Sequence, residues 1–403
     1  MDDSDYRKKI RQIMYTIKPI TILEYCTGIF KFRFVNGELR PPNWIMKTVA
    51  TFYMIAYSLV VLGTLKRLIA TNTSVEWSGS WRALQEMPVI TVLIQYVTFS
   101  IRLGFPACSS LNIRIFTTFA ELDGMLLVEK LNIFYRHGRS KTNLCLIVLF
   151  ATHGINIVLF IFNKGDVLWA FLAFHLYFIQ KLDILAFYIY IVMVTCRLNV
   201  INKYLSAFVT DQEQNNVTVF VVKNKKRESQ EKFKFIGRAS ERNMKIQDLA
   251  MVYNIIGNTV FMINKAFNLN ILMVLVSVFC YVLITIRTAL SYYQAPEHCS
   301  TDLVSLGIWC FSSTSNLIAF AFVCEKLLRS RNKTKVLVNK IVMNYDLPKT
   351  MRIQAKVFME LVEAWPLRIY VFDMFTVDIT LVLKFISVAT TYLIVIIQVT
   401  HLM

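Results

Sequence analysis

The sequence predicts an all-α membrane protein: seven transmembrane helices, the N-terminus cytoplasmic, the C-terminus extracellular, and long cytoplasmic helix extensions. Three observations predict it. The chain is 56% hydrophobic with a mean hydropathy of +0.50, which is not the composition of an ordinary soluble domain. Seven apolar runs, at 48–65, 87–107, 144–162, 167–194, 266–286, 303–324 and 377–402, are each near or above the roughly 18–20 residues that cross a bilayer. Of the 44 Lys and Arg residues, 41 lie outside those runs, 36 of them on one set of alternate connections and 5 on the other. Basic loops stay in the cytoplasm, so the first segment is expected inside.

Residues 1–47 carry nine Lys and Arg and start acidic before turning basic. They contain no signal-peptide core, so the first run is expected to act as its own insertion signal. Residues 48–194 hold the first four spans. An outer loop contains Asn72-Thr73-Ser74, a usable glycosylation sequon. Arg102 sits near the inner end of the second span, where it can snorkel. Lys181 and Asp183 lie mid-helix in the fourth span, two apart, so they cannot face each other. Each needs a partner elsewhere or water.

Residues 195–265 form a cytoplasmic linker and anchor helix with twelve basic residues. Asp211–Gln230 reads as a mobile polar linker. Ile246, Leu249, Ala250, Tyr253, Ile256 and Val260 then recur at threes and fours, which predicts a helix running on into the fifth span. Residues 266–324 hold spans five and six, and the sixth continues through Glu325–Asn339 without Gly or Pro. Residues 325–376 are expected to be anchor helices, with an amphipathic helix at 350–370, and 377–403 is the last span.

Several function classes are disfavoured. The net charge of +18 is confined to one side, which topology and anionic inner-leaflet lipid account for; lipid is an expected partner and nucleic acid is not. Eight cysteines are present, of which only Cys299 clearly lies outside, so no extracellular disulfide is available within one chain. No zinc-ligand spacing, Walker A, H-E-x-x-H, G-x-S-x-G or G-x-G-x-x-G occurs, and the five histidines are scattered. Neither an enzyme nor a cofactor is expected. No internal repeat favours an inverted-repeat transporter.

Polar and aromatic residues gather in the outward halves of the second to sixth runs. Tyr96, His153, His175, Gln180, Tyr281 and Trp309 come from five helices at similar depth. Any one of them fits an interhelical hydrogen bond. Together, aromatic faces with a few polar groups suit a small-molecule pocket, and these six are the candidate ligand-binding residues.

The tail reads Thr391-Tyr392-Leu393-Ile394-Val395-Ile396-Ile397-Gln398-Val399. It resembles the signature of the insect gustatory receptors, Thr-Tyr, five hydrophobic residues, then Gln-Phe, with Val399 where Phe is usual. Phe375-Thr376-Val377-Asp378 is similar to the family's Phe-x-x-Asp at the start of the last helix, and Asp373 stands where Gly is common. Leu249, Asn264 and Phe267 fall near a weaker family pattern. The resemblance implies a ligand-gated cation channel related to the insect odorant receptors. Four subunits, identical or including co-receptor subunits of the same family, would surround a pore lined by the last helix, in the plasma membrane of a sensory neuron dendrite. It implies permeating cations, a small-molecule tastant in the outer half of each bundle, Gln398 and Val399 at the gate, and Thr391, Tyr392 and Asp378 as structural residues. Leu393 stands where the sweet-receptor branch carries Glu, which favours a bitter plant compound over a sugar. A G-protein-coupled receptor would put 36 basic residues outside. A secondary transporter would use Lys181 and Asp183 along an ion pathway.

Overall fold

In a computed structural model the chain is described over residues 3–70, 87–126, 131–162, 167–213, 246–294 and 300–402. Ten helices and two small hairpins follow in order among these residues. Helix α1 spans Asp3–Cys26, strands β1 and β2 Arg33–Val35 and Glu38–Arg40, and α2 Trp44–Ala70. Helices α3 to α6 span Met87–Gly104, Pro106–Met125, Leu131–Phe162 and Val167–Glu213. Helices α7 and α8 are long, Ile246–Gln294 and Ser300–Met343, followed by α9 at Lys349–Ala364. Strands β3 and β4 at Tyr370–Val371 and Phe375–Thr376 lead into the last helix, α10, at Ile379–Leu402.

Among the described residues five helices are long and apolar enough to cross a membrane: Trp44–Leu68, Met87–Gly104, Gly138–Val158, Val167–Val209 and Ile246–Ile286. The run expected at 303–324 lies in α8 and is not among these five; the side chains of residues 301–306 and 309 lie outside the described residues. In α10, a 24-residue helix, the apolar stretch within the described residues is Ile379–Val395. The 87–107 run is broken. Phe105 is extended (φ −76°, ψ 133°) before Pro106, the residue that forces its predecessor out of helical geometry and opens α4 instead. The amphipathic helix expected at 350–370 stops at Ala364, and β3 takes up its last residue. Of the expected linker Asp211–Gln230, Asp211–Glu213 close α6 and the rest lies outside the described residues, as does Asn72.

Residues 1–47 hold more structure than their charge suggested. Ile10, Ile13, Met14, Ile17 and Ile20 recur at threes and fours and are all buried, and α1 lays this stripe against α4, α5 and α6. The hairpin that follows pairs Val35 with Glu38, leaving the two-residue turn Asn36-Gly37. Both have positive φ, 52° and 85°, as a type I′ turn requires.

Helix α6 is the axis of the fold. Two thirds of its span is buried (67%), against 11% for α2 at the periphery, and it touches α1, α2, α3, α5, α7 and α8. Below it, α7 and α8 run on as unbroken helices, as their periodicity predicts, and carry α9 between them. Asn202 ties α6 to α8: its amide donates to the Ser330 carbonyl (2.9 Å) and its oxygen accepts from Thr334 (2.7 Å). Burial is divided between a large inner core and a smaller one built from α2, α3 and the first turns of α6. The candidate ligand site lies in the smaller one.

Candidate functional site

Three aromatic residues and a histidine fill the space between α2, α3 and α6. Tyr53 and Tyr57, one turn apart on α2, stack at 5.9 Å. The Tyr57 ring meets Tyr96 edge-on at 6.1 Å and His175 at 4.9 Å. The Tyr53 hydroxyl lies 3.2 Å from His175 Nε2, and the Tyr57 hydroxyl donates to the Leu172 carbonyl at 2.6 Å. Tyr96 is buried, and His175 Nδ1 has no hydrogen-bond partner among the described residues. One face of α3 and one of α6 thus bring two predicted residues, Tyr96 and His175, into one group with Tyr57 between them.

Beside this group is a small cavity, with room for about one water molecule, lined by Val92, Gln95, Tyr96, Phe99, Gln180 and Asp183, among others. The Gln180 amide donates to Gln95 Oε1 at 2.8 Å, closing one wall. Among the described residues that line it, Asp183 is the only carboxylate. It accepts a hydrogen bond from Asn270 on α7, and its Oδ1 lies 3.5 Å from Lys31 Nζ. Lys31 is held more closely by Glu24, at 2.6 Å. All three charged side chains are almost fully buried, at 2–6% exposure. Burial opposes the Lys31 charge, yet Glu24 and Asp183 outweigh it and hold the ammonium's pKa above its ordinary value. Burial pushes the Glu24 carboxyl up, opposed by Lys31 and helped by Asp183. Asp183 therefore finds the partner its span position demanded, 152 residues away in the N-terminal segment.

Tyr281 and His153 do not line this cavity. Tyr281 packs against Tyr177 at 5.5 Å. His153 is buried on α5 between Phe174 (5.6 Å) and Phe178 (5.4 Å). One turn on, the Asn156 amide donates to Ser312 Oγ at 3.4 Å, and Lys181 donates to the same oxygen at 3.2 Å. The side chains of Trp309 and Val399 lie outside the described residues. Sequence reasoning passed over Tyr53 and Tyr57 because it left the first run out of the pocket. Two tyrosines at i, i+4 in an apolar helix were the available signal. Asn270, just inside the fifth run, was a second.

On the last helix, Asp378 acts as the N-terminal cap: its Oδ1 accepts from the Thr380 amide at 2.9 Å and its Oδ2 from the Thr376 hydroxyl at 3.0 Å. The hairpin before it is pinned to α7, where Asn264 and Asn268 accept the amides of Tyr370 (3.2 Å) and Phe372 (2.8 Å). Phe372 and Asp373 carry positive φ, 46° and 57°. Asp373 thus occupies a backbone position glycine adopts more easily. The Thr391 hydroxyl donates to the Ser387 carbonyl at 3.0 Å within the helix. Tyr392 packs edge-on against Phe279 of α7 at 5.3 Å, and Phe279 also meets Phe385 at 6.2 Å. Gln398 is exposed in the single chain.

A family model described as the 7tm chemosensory receptor matches residues 17–400. The chain belongs to this family. The chemosensory receptor's fold is also that of the insect olfactory receptor OR5 from Machilis hrabei. The TM-score is 0.66 at 12% identity, covering 97% of this chain and 99% of that one. The same receptor in complex with eugenol superposes with a TM-score of 0.64 at 12% identity, over 95% and 97% of the two chains. No curated protein sequence matches this receptor. Membership places the chain among the chemosensory receptors, and helices α2, α3, α5, α6 and α7 are long and apolar enough to cross a membrane.

Proposed function

We propose that this receptor is a gustatory receptor acting as a ligand-gated, non-selective cation channel, and that it is not an enzyme. It crosses the plasma membrane of a sensory neuron seven times, N-terminus inside, and assembles as a tetramer of itself or with co-receptor subunits. Family membership and the tail signature support this. The observation that carries it is the surface of α10. Leu383, Ile386, Ile394 and Val395 are about half to two-thirds exposed on the single chain (66%, 53%, 52% and 47%), although α10 packs on α7 and α8. An aliphatic helix open on its far side suits a pore lining shared between subunits, closing by dewetting beside Gln398 and Val399.

The ligand is a small tastant, a bitter plant compound in preference to a sugar, seated between α3 and α6. The eugenol-bound relative supports a small-molecule site, and the cavity beside Tyr96 and Gln180 supports its place. Binding need only favour the open arrangement over the closed one. The test is the response midpoint of alanine variants at Tyr96, His153, His175, Gln180, Tyr281 and Trp309, normalised to surface protein. Loss of one polar contact, worth about 1–3 kcal/mol, should move the midpoint about 5- to 150-fold. A residue that only packs lowers surface protein and leaves the midpoint alone. If all six keep the parent midpoint, the pocket is elsewhere.

A further inference from the structure

We propose that the face shared by α1 and α5 binds the headgroup of an anionic phospholipid, with Lys18, Arg136 and Arg139 around the phosphate and Ile22 and Ile147 beside the acyl chains. The site is separate from the ligand site above, and only its assignment to the inner leaflet rests on the proposed N-inside topology. Helix α1 buries one stripe and turns the opposite one outward. Lys8, Arg11, Tyr15, Lys18 and Ile22 follow one another at threes and fours, and all are exposed. On α5, Arg136 and Ile147 are exposed and Arg139 is half-buried.

Carboxylates do not take up the basic residues of this face. Arg7 and Lys9, elsewhere on α1, pair with Glu38 (3.1 Å) and Asp5 (2.5 Å). Among the described residues Lys18, Arg136 and Arg139 form no ion pair. Arg139 is fixed in another way. Its Nη1 donates to the Tyr15 carbonyl at 2.5 Å, and its guanidinium lies over the Tyr15 ring at 5.0 Å, within cation–π range. Its Nε and Nη2 make no hydrogen bond among the described residues. A planar guanidinium held at one corner presents the opposite edge as a fork of two donors, the geometry that phosphate oxygens match.

The neighbouring apolar surface makes that anion a lipid rather than free phosphate. Arg139 stands at the start of the stretch of α5 that is long and apolar enough to cross a membrane, Gly138–Val158. Two turns later Ile147 is 65% exposed, and one turn after Lys18, Ile22 is 50% exposed. On both helices the basic residues come first and the exposed apolar ones follow, in the order of a headgroup and its chains. Tyr15, exposed beside Arg139, is the kind of amphipathic ring that settles at a membrane–water boundary. Basic residues at the cytoplasmic end of a span attract the anionic lipid of the inner leaflet. Helix α1 packs on α4, α5 and α6, and α10 packs on α7 and α8, so this face is not part of the surface proposed for the shared pore.

The probes are fluorescent phosphatidylserine and the zwitterionic phosphatidylcholine with the same acyl chains. Equilibrium binding of each to the purified full-length chain is measured in a nonionic detergent. Each basic residue near a headgroup is worth roughly fivefold in affinity, so phosphatidylserine should bind about tenfold or more tighter than phosphatidylcholine. Lys18→Gln with Arg139→Gln should erase that difference by weakening phosphatidylserine alone. Lys349→Gln with Lys356→Gln removes the same charge from exposed positions of α9 and should leave it intact. Should the Arg139 variant fail to fold, Lys18→Gln with Arg136→Gln must weaken phosphatidylserine in its place. Equal binding of the two lipids, binding of neither, or an equal loss from the α9 changes overturns the proposal. Displacement of phosphatidylserine by inorganic phosphate at the same concentration also overturns it, since the site would then take a free anion. Binding in detergent involves neither current nor orientation, so a failure here leaves the channel reading standing, and a failed channel leaves the lipid site standing.

Discussion

Arg197 shows how much a single buried residue can hold in this receptor. Its guanidinium is fully buried, donating to Asp123 Oδ2 (2.7 Å), the Tyr135 hydroxyl (3.2 Å) and the Met193 carbonyl (2.9 Å). It also lies over the Phe119 ring at 4.4 Å. Tyr135 in turn donates to Asp123, so α4, α5 and α6 meet on one carboxylate. Removing one partner of a buried pair leaves the other charge uncompensated, at about 3–5 kcal/mol. Arg197→Ala should therefore lower the thermal midpoint of the purified chain severely. The double change Arg197→Leu with Asp123→Leu should cost much less than the two single changes together. Additive losses in a double-mutant cycle would show that the pair is not coupled.

At the scale of elements, one ring of α7 meets the last helix at two places. Phe279 of α7 contacts both Phe385 and Tyr392 of α10, and each edge-on pair is worth about 0.5–1.5 kcal/mol beyond its buried area. Tyr392→Ala and Phe279→Ala should both reduce tetramer assembly on native gels while leaving ion selectivity in the surviving channels unchanged. Altered selectivity with normal assembly would place Tyr392 in the pore instead. Farther along the same helix, α7 approaches the segment after α9 so closely that a Cβ at Gly257 would sit 2.6 Å from the Trp365 ring. That ring is fixed by its own N–H to Asn254 (2.8 Å), and its backbone carbonyl accepts from Tyr253 (2.9 Å). Gly257→Ala should destabilise the chain by about 1–3 kcal/mol through overpacking, measured as a fall in thermal midpoint. An unchanged midpoint would mean that Trp365 moves aside freely.

These elements differ in how plainly the sequence announces them. The extension of α7 was legible because Ile246, Leu249, Tyr253, Ile256 and Val260 keep a helical period without a proline, and all are buried. The break after Gly104 was equally written in Pro106, but hydropathy averaged over a window runs straight through a proline. The α1 stripe and the Asn36-Gly37 turn were local signals masked by attention to charge. The site was legible only in part. Tyr96 and Gln180 could be picked as polar or aromatic residues at similar depth, and they share one cavity. That Asp183 answers to Lys31 and Asn270 was not legible, because period and spacing say which face a residue occupies and not which distant face it meets.

At the scale of the whole molecule, the proposed orientation of the helices rests on 36 basic residues against 5, and the pore reading depends on it. An epitope tag at the N-terminus should be reached only after permeabilisation and one at the C-terminus on intact cells. The reverse result would place the basic loops outside and remove the basis for the proposed topology. Substituting Gln398 or Val399 with a small or charged residue should then alter basal current or selectivity in protein that still reaches the surface; unchanged conduction at both would move the constriction elsewhere. The measurement that tests the central claim most directly is the current through an excised patch from cells expressing this chain, alone and with a subunit of the same family. Unitary, ligand-evoked steps carried by sodium and potassium alike are the expected result. Solute uptake without unitary steps, or a response that needs cytoplasmic G proteins and vanishes on excision, would contradict the account.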